Sequence, residues 1–115
     1  MDKKVEISML WQIYGKLLTD KQNEYIDYYY NQDLSLSEIA ENEEITRQAV
    51  RDNLKKGENN LFEYEEKLGV MKKTLEKEEK IEKIISEIKI LEKENLDKNI
   101  LKTLTNIKNK LNGLI

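Results

Sequence analysis

The chain contains no cysteine, no histidine and no proline in 115 residues. Without cysteine there is no disulfide and no thiolate nucleophile, and the usual zinc ligands are gone with histidine. Histidine's absence also removes the commonest acid–base side chain of enzymes. With no proline, no helix is forced to stop for want of an N–H. No apolar run approaches the roughly 20 residues that span a bilayer, and no apolar signal segment stands at the start. These absences point away from catalysis, metals, cofactors and membrane insertion. The expectation is an all-α binding protein, not an enzyme, located in the cytoplasm.

What is present is charge, at 37% of residues, and it is distributed unevenly. Residues 1–65 carry eight Lys plus Arg against fourteen Asp plus Glu, a net of −6. Residues 66–115 carry twelve against nine, a net of +3, and the whole chain stands at −3. All eight aromatics lie between Trp11 and Tyr64. A packed head over residues 1–65 is therefore expected, followed by a helical extension over 66–115. That extension packs on the head, folds on itself as a hairpin or forms a dimer contact.

The most informative stretch runs from Ser35 to Leu54, SLSEIAENEEITRQAVRDNL. Leu36, Ile39 and Ala40 fall on one face of a short helix, and Ile45, Val50 and Leu54 offer matching apolar points on a second. A polar turn separates them, and a small residue at Ala40 allows close helix crossing, so the pattern is that of a helix-turn-helix. Ser35 and Glu38 form an S-x-x-E capping box, and Thr46 caps the second helix. Upstream, Ile7, Leu10, Trp11, Tyr14, Leu17 and Leu18 repeat at helical spacing. Thr19 and Gln22 give another capping box, opening a helix whose inner face is Tyr25, Ile26, Tyr29 and Tyr30, with Tyr28 outside. Asn31, Gln32 and Asp33 end it.

Downstream, Leu61, Tyr64, Leu68, Met71 and Leu75 step by three and four like a coiled-coil seam. The charged run from Lys77 to Lys80 breaks that phase. A new stripe follows at Ile81, Ile84, Ile85, Ile88 and Leu91. After a junction near Asn95, a last helix carries Leu96, Ile100, Leu104, Ile107 and Leu111, with Gly113 as its stop.

At about 100° per residue, Arg47, Gln48, Arg51, Asp52 and Lys55 share one outward arc, opposite Val50 and Leu54. These side chains hydrogen-bond bases or phosphates, and the motif around them is a recognition architecture. The alternative is an ordinary solvated helix face. Charge weighs against simple DNA binding, because phosphate neutralisation supplies most non-specific affinity and the head is acidic. Asp52 lies inside the arc itself. The Lys-Glu-rich segment from Lys72 to Lys93 reads as a solvated face, and the scattered carboxylates as surface charge.

The segments LLTDKQNEYIDYYYNQDLSLSEIAE and TRQAVRDNLKKGENNLFEYEEKLG resemble the YlxM family of bacterial proteins. The resemblance covers roughly residues 5–75 and includes the capping boxes, the helix-turn-helix and the E-Y-E-E-K-L continuation. It implies a helix-turn-helix similar to region 4 of sigma factors, a winged-helix-type recognition unit without a wing, followed by long C-terminal helices. It also implies association with the signal recognition particle (SRP) pathway, through its RNA, its GTPase or both. The chain departs from the family pattern in three places. Glu43 and Glu44 stand where an aromatic and then Gly or Asn are usual. Arg51 replaces a common tyrosine, and Gly57 replaces a better helix former, which predicts a kinked or loosened helix there.

The major groove of A-form RNA is too deep and narrow for a recognition helix. RNA contacts are therefore expected at phosphates, loops or the shallow groove, through Thr46, Arg47, Gln48, Arg51, Lys55 and Lys56, with acidic surface facing a basic protein. The main reading is an accessory factor of the SRP pathway binding SRP RNA or DNA, the SRP GTPase, or both. The alternative is a DNA-binding transcription regulator acting as a homodimer through its C-terminal helices. A third reading keeps the helix-turn-helix only as an interaction scaffold.

Overall fold

The computed structural model describes residues 1–115, and every regular element in it is helical. The order is α1 (Lys3–Tyr14), a 3-10 turn (Gly15–Leu17), α2 (Asp20–Ile26), a π turn (Asp27–Asn31), α3 (Leu36–Glu43), α4 (Arg47–Leu68), α5 (Val70–Glu92) and α6 (Lys98–Asn112). The chain forms two compact units, Met1–Met71 and Lys72–Ile115.

The first unit packs α1, α2 and α3 around α4. Its core includes Ile7, Leu10, Tyr14, Ile26, Ile39, Val50, Leu54 and Leu61. Both capping boxes form as the sequence predicts. The Gln22 amide donates to Thr19 Oγ1 at 3.2 Å and the Glu38 amide to Ser35 Oγ at 3.1 Å, each with the reciprocal bond in place. Gln22 is buried, and its Oε1 also accepts from Asn60 Nδ2 at 3.3 Å, tying α2 to α4.

Several expectations are corrected. Gly57 neither kinks nor interrupts α4, which runs unbroken for 22 residues. A Cβ there would lie 3.2 Å from Ile26 Cγ1 and 3.4 Å from Gln22 Cβ, so the glycine is a close-approach point between α2 and α4. The seam does not continue from Leu61 to Leu75 in one helix. Gly69 adopts φ 64° and ends α4, while Lys77–Lys80 lie inside uninterrupted α5. Glycine takes a left-handed backbone without the Cβ clash that would resist it elsewhere, so the break falls there. Leu17 is 57% exposed because the 3-10 turn at Gly15 changes the helical register of α1. Ile45 is also exposed, as the residue following the left-handed turn position.

The tyrosine assignment is reversed in part. The π turn shifts the register after Ile26, so Tyr28 and Tyr30 pack on the core and Tyr29 faces outward. An isolated hydrophobic period of 3.6 cannot foresee this extra residue per turn.

In the second unit α5 and α6 form an antiparallel hairpin. Glu92 accepts from Lys108 Nζ at 2.8 Å and Thr105 Oγ1 at 3.3 Å, while Ile85 and Ser86 share a cleft with Asn112 and Ile115. Ile81, Ile85 and Ile88 are buried, but Ile84 and Leu91 of the expected stripe are exposed. The more sheltered line of α6 is Leu101, Leu104, Thr105, Lys108 and Leu111, leaving Ile100 and Ile107 outside. The two possible stripes share Leu104 and Leu111. Pairing with Glu92 fixes the one that contains Lys108.

Candidate nucleic-acid interface

The site begins with the turn that sets the angle of α4. The last turn of α3 is closed by amide bonds from Glu44 to Glu41 O at 3.4 Å and from Ile45 to Ala40 O at 3.1 Å. This pair is the Schellman arrangement, which puts a left-handed residue just past the helix end. Glu44 occupies that position with φ 56°. The turn therefore keeps the left-handed geometry that glycine or asparagine usually supplies, with glutamate bearing the strain. Glu43 beside it makes an ion pair with Lys21 of α2 at 3.4 Å. Thr46 then caps α4, its Oγ1 accepting from the Ala49 amide at 3.0 Å.

Thr46, Arg47, Gln48, Arg51, Lys55 and Lys56 are all exposed. Val50, Leu54, Gly57 and Leu61 are buried and anchor the side of the helix that adjoins Arg47, which corrects the expectation that Val50 and Leu54 lie opposite the arc. At about 100° per residue, Arg47, Arg51, Lys55 and Gln48 span an arc of about 100°, and Lys56 lies about 80° beyond it. Arg47, Arg51, Lys55 and Lys56 have no acidic side chain within ion-pair distance, unlike Lys3, Lys4, Lys21, Lys67, Lys83 and Lys108. Three exposed cations, Arg47, Arg51 and Lys55, thus share one face without an internal acidic partner, and Lys56 is a fourth outside that face. Asp52 keeps its negative charge within the arc, where Gln48 Nε2 donates to its Oδ1 at 2.9 Å. That bond in turn occupies one of the two amide donors of Gln48.

Sequence periodicity alone did not bring Lys3 to this region. Its Nζ lies 3.9 Å from Glu58 Oε1, one helical turn beyond Lys55 on α4. Burial raises the Glu58 carboxyl above its ordinary range, with Lys3 pulling the other way. The Tyr30 hydroxyl donates to the same Glu58 oxygen. The N-terminal basic pair Lys3–Lys4 was a visible signal, but only the packing of α1 against α4 gives it a place beside the arc.

These features define an all-α protein with a helix-turn-helix-like head, and none of its helices is long and apolar enough to cross a membrane. The chain belongs to the UPF0122 family, described as "Putative helix-turn-helix protein, YlxM / p13 like", whose model matches residues 1–107. A UPF0122 protein of Listeria welshimeri is 42% identical over 110 residues, covering 94% of this chain and 96% of that protein. One from Fusobacterium nucleatum is 44% identical over 102 residues, covering 87% and 94%. A third, from a Thermoanaerobacter species, is 42% identical over 108 residues, covering 94% and 92%.

Proposed function

We propose that this protein is an accessory component of the SRP pathway that binds nucleic acid through the outward face of α4. Thr46, Arg47, Gln48, Arg51, Lys55 and Lys56 make the contact, with SRP RNA as the preferred ligand. The observation that carries the reading is the set of four unpaired cations on the helix that follows the helix-turn-helix turn. Family membership supports the pathway, through the resemblance already drawn to YlxM proteins. By the resemblance to region 4 of sigma factors, α4 is the contacting helix of the head. The net −6 of residues 1–65 disfavours general attraction to phosphate, so the contact is local and assisted by a basic protein such as the SRP GTPase.

Fluorescence anisotropy of labelled SRP RNA, with random duplex DNA as competitor, tests this. Binding that outlasts the competitor and disappears in Arg47→Glu/Arg51→Glu supports the proposal. Binding unaltered by the double reversal places the contact elsewhere. A second reading, a homodimeric DNA-binding regulator, is favoured by the exposed Ile100 and Ile107 on α6, which suit self-association. It requires a dimer in sedimentation and preferential capture of duplex DNA with half-sites about 34 Å apart.

A further inference from the structure

The helix that begins as α2 ends in a π turn, Asp27–Asn31, and this turn decides where three consecutive tyrosines go. Tyr28 and Tyr30 stay against the core, whereas Tyr29 is 37% exposed. π turns occur mostly as single turns and often at functional positions. A second unusual backbone follows at Asp33, which has φ 57° without being glycine. One outward-facing aromatic ring thus sits within the π turn, four residues before a left-handed aspartate. The ring is also held in place, with Tyr30 against it edge-on at 5.0 Å between centroids. Tyr30 is in turn fixed by its hydroxyl bond to Glu58.

Lys3, Lys4, Tyr29, Tyr30, Asp33 and Leu34 line an open notch of about 560 Å³. That volume falls within the range of small-molecule sites, about 300–1,000 Å³. Its charges are not equivalent. Lys4 and Asp33 neutralise each other in an ion pair, so Asp33 adds no free negative charge. The Lys3 side chain is 66% exposed and its ammonium stands 3.9 Å from Glu58, one turn of α4 beyond Lys55. Lys3 therefore links the notch to α4 through a long, largely exposed pair with Glu58, which a phosphate can compete for.

We propose that this notch is a stacking subsite for one unpaired nucleotide. The base lies on the Tyr29 ring and its phosphate meets Lys3, while the neighbouring part of the same nucleic acid follows Arg47, Arg51 and Lys55. An aromatic face beside a lysine suits a nucleobase and its phosphate, because every base has a π-face and stacking tolerates sequence. The inference rests on the nucleic-acid reading of α4 and adds a class of ligand to it: a structured element with a single-stranded flank.

The test uses the full chain and two labelled RNA hairpins, one blunt and one with a short single-stranded adenine extension, read by fluorescence anisotropy. The wild type binds the extended hairpin more tightly. Tyr29→Ala loses about fivefold or more on that hairpin and falls to the blunt-hairpin affinity, as removal of one stacking platform should produce. Tyr29→Phe keeps the preference, and circular dichroism of both variants matches the wild type. Arg47→Glu/Arg51→Glu loses both hairpins. Wild-type affinity of Tyr29→Ala for the extended hairpin overturns the subsite, as does a wild type with no preference for the extension. If the extension preference survives Arg47→Glu/Arg51→Glu but not Tyr29→Ala, the subsite stands and the α4 reading falls.

Discussion

Ile26 of α2 packs so closely on Gly57 of α4 that a Cβ at residue 57 would stand 3.2 Å from Ile26 Cγ1 and 3.3 Å from its Cδ1. Ile26 is fully buried, so it has little room to withdraw. The crossing is what allows α2 to support α4 from behind while Arg47, Arg51 and Lys55 face outward. A residue that weakens an isolated helix therefore strengthens this one through packing.

Gly57→Ala gains about 1 kcal/mol in helix propensity but overpacks the crossing, which costs about 1–3 kcal/mol. The expected outcome is a net loss of about 1 kcal/mol in chemical denaturation. Combining it with Ile26→Ala, which removes both Cγ1 and Cδ1, should cost less than the sum of the two single changes, since the new methyl fills part of the space left. A stabilised Gly57→Ala single variant would contradict the close-crossing account.

Glu44 offers the opposite case. A left-handed non-glycine residue costs about 1–2 kcal/mol, and glycine gives back about 0.4–1 kcal/mol through the unfolded chain. Glu44→Gly is expected to raise stability by about 0.5 kcal/mol in urea denaturation and to leave the turn intact. Destabilisation would mean that the Glu44 side chain contributes more than its backbone strain costs.

Glu58 and its neighbours link stability to binding. Burial raises its carboxyl, so the folded state prefers the protonated form. The stability it confers is present at low pH and lost as pH rises through the raised folded value. Glu58→Gln keeps an acceptor for the Tyr30 hydroxyl and removes the charge beside Lys3. The variant should equal or exceed the wild type in stability at neutral pH, converge with it in acid, and bind RNA more tightly. Weaker RNA binding by a folded Glu58→Gln protein would contradict the proposed cationic surface.

Glu92 has the reverse sign. The hydrogen bond from Lys108 is the main cause that lowers its carboxyl below the ordinary value of 4.5. Its contribution is present above that value and lost as pH falls through the depressed one. Amide protection factors in α6, corrected for the intrinsic pH dependence of exchange, are expected to fall on acidification in the wild type. In Glu92→Gln the acid response should be reduced. Identical acid profiles would show that the Glu92–Lys108 pair does not hold the hairpin.

Local chemistry made much of the head legible. Thr19–Gln22, Ser35–Glu38 and Thr46 announce helix starts because a cap and its partner amide lie within a few residues of each other. Val50 and Leu54 were readable as the inner face of α4 for the same reason of short range. The π turn was not readable, because an extra residue in one turn leaves no mark in an apolar pattern of Tyr25, Ile26, Tyr28, Tyr29 and Tyr30. Gly69 was hidden inside a three-and-four repeat that continues on both sides of it. Gly57 was visible as a departure from helix propensity, but its value depends on Ile26, which is distant in sequence. Lys3 shares that difficulty, since only the packing of α1 on α4 sets it near Glu58 and the end of the arc.

The most direct test of the central claim is an NMR titration of the isotopically labelled full chain with SRP RNA at moderate salt, following every backbone amide. The account predicts that the largest shifts concentrate on residues 46–56 and extend to Lys3 and Tyr29, while the amides of Ile7, Leu10, Leu61 and α6 move little. Shifts confined to α5 and α6, with residues 46–56 unmoved, would contradict it.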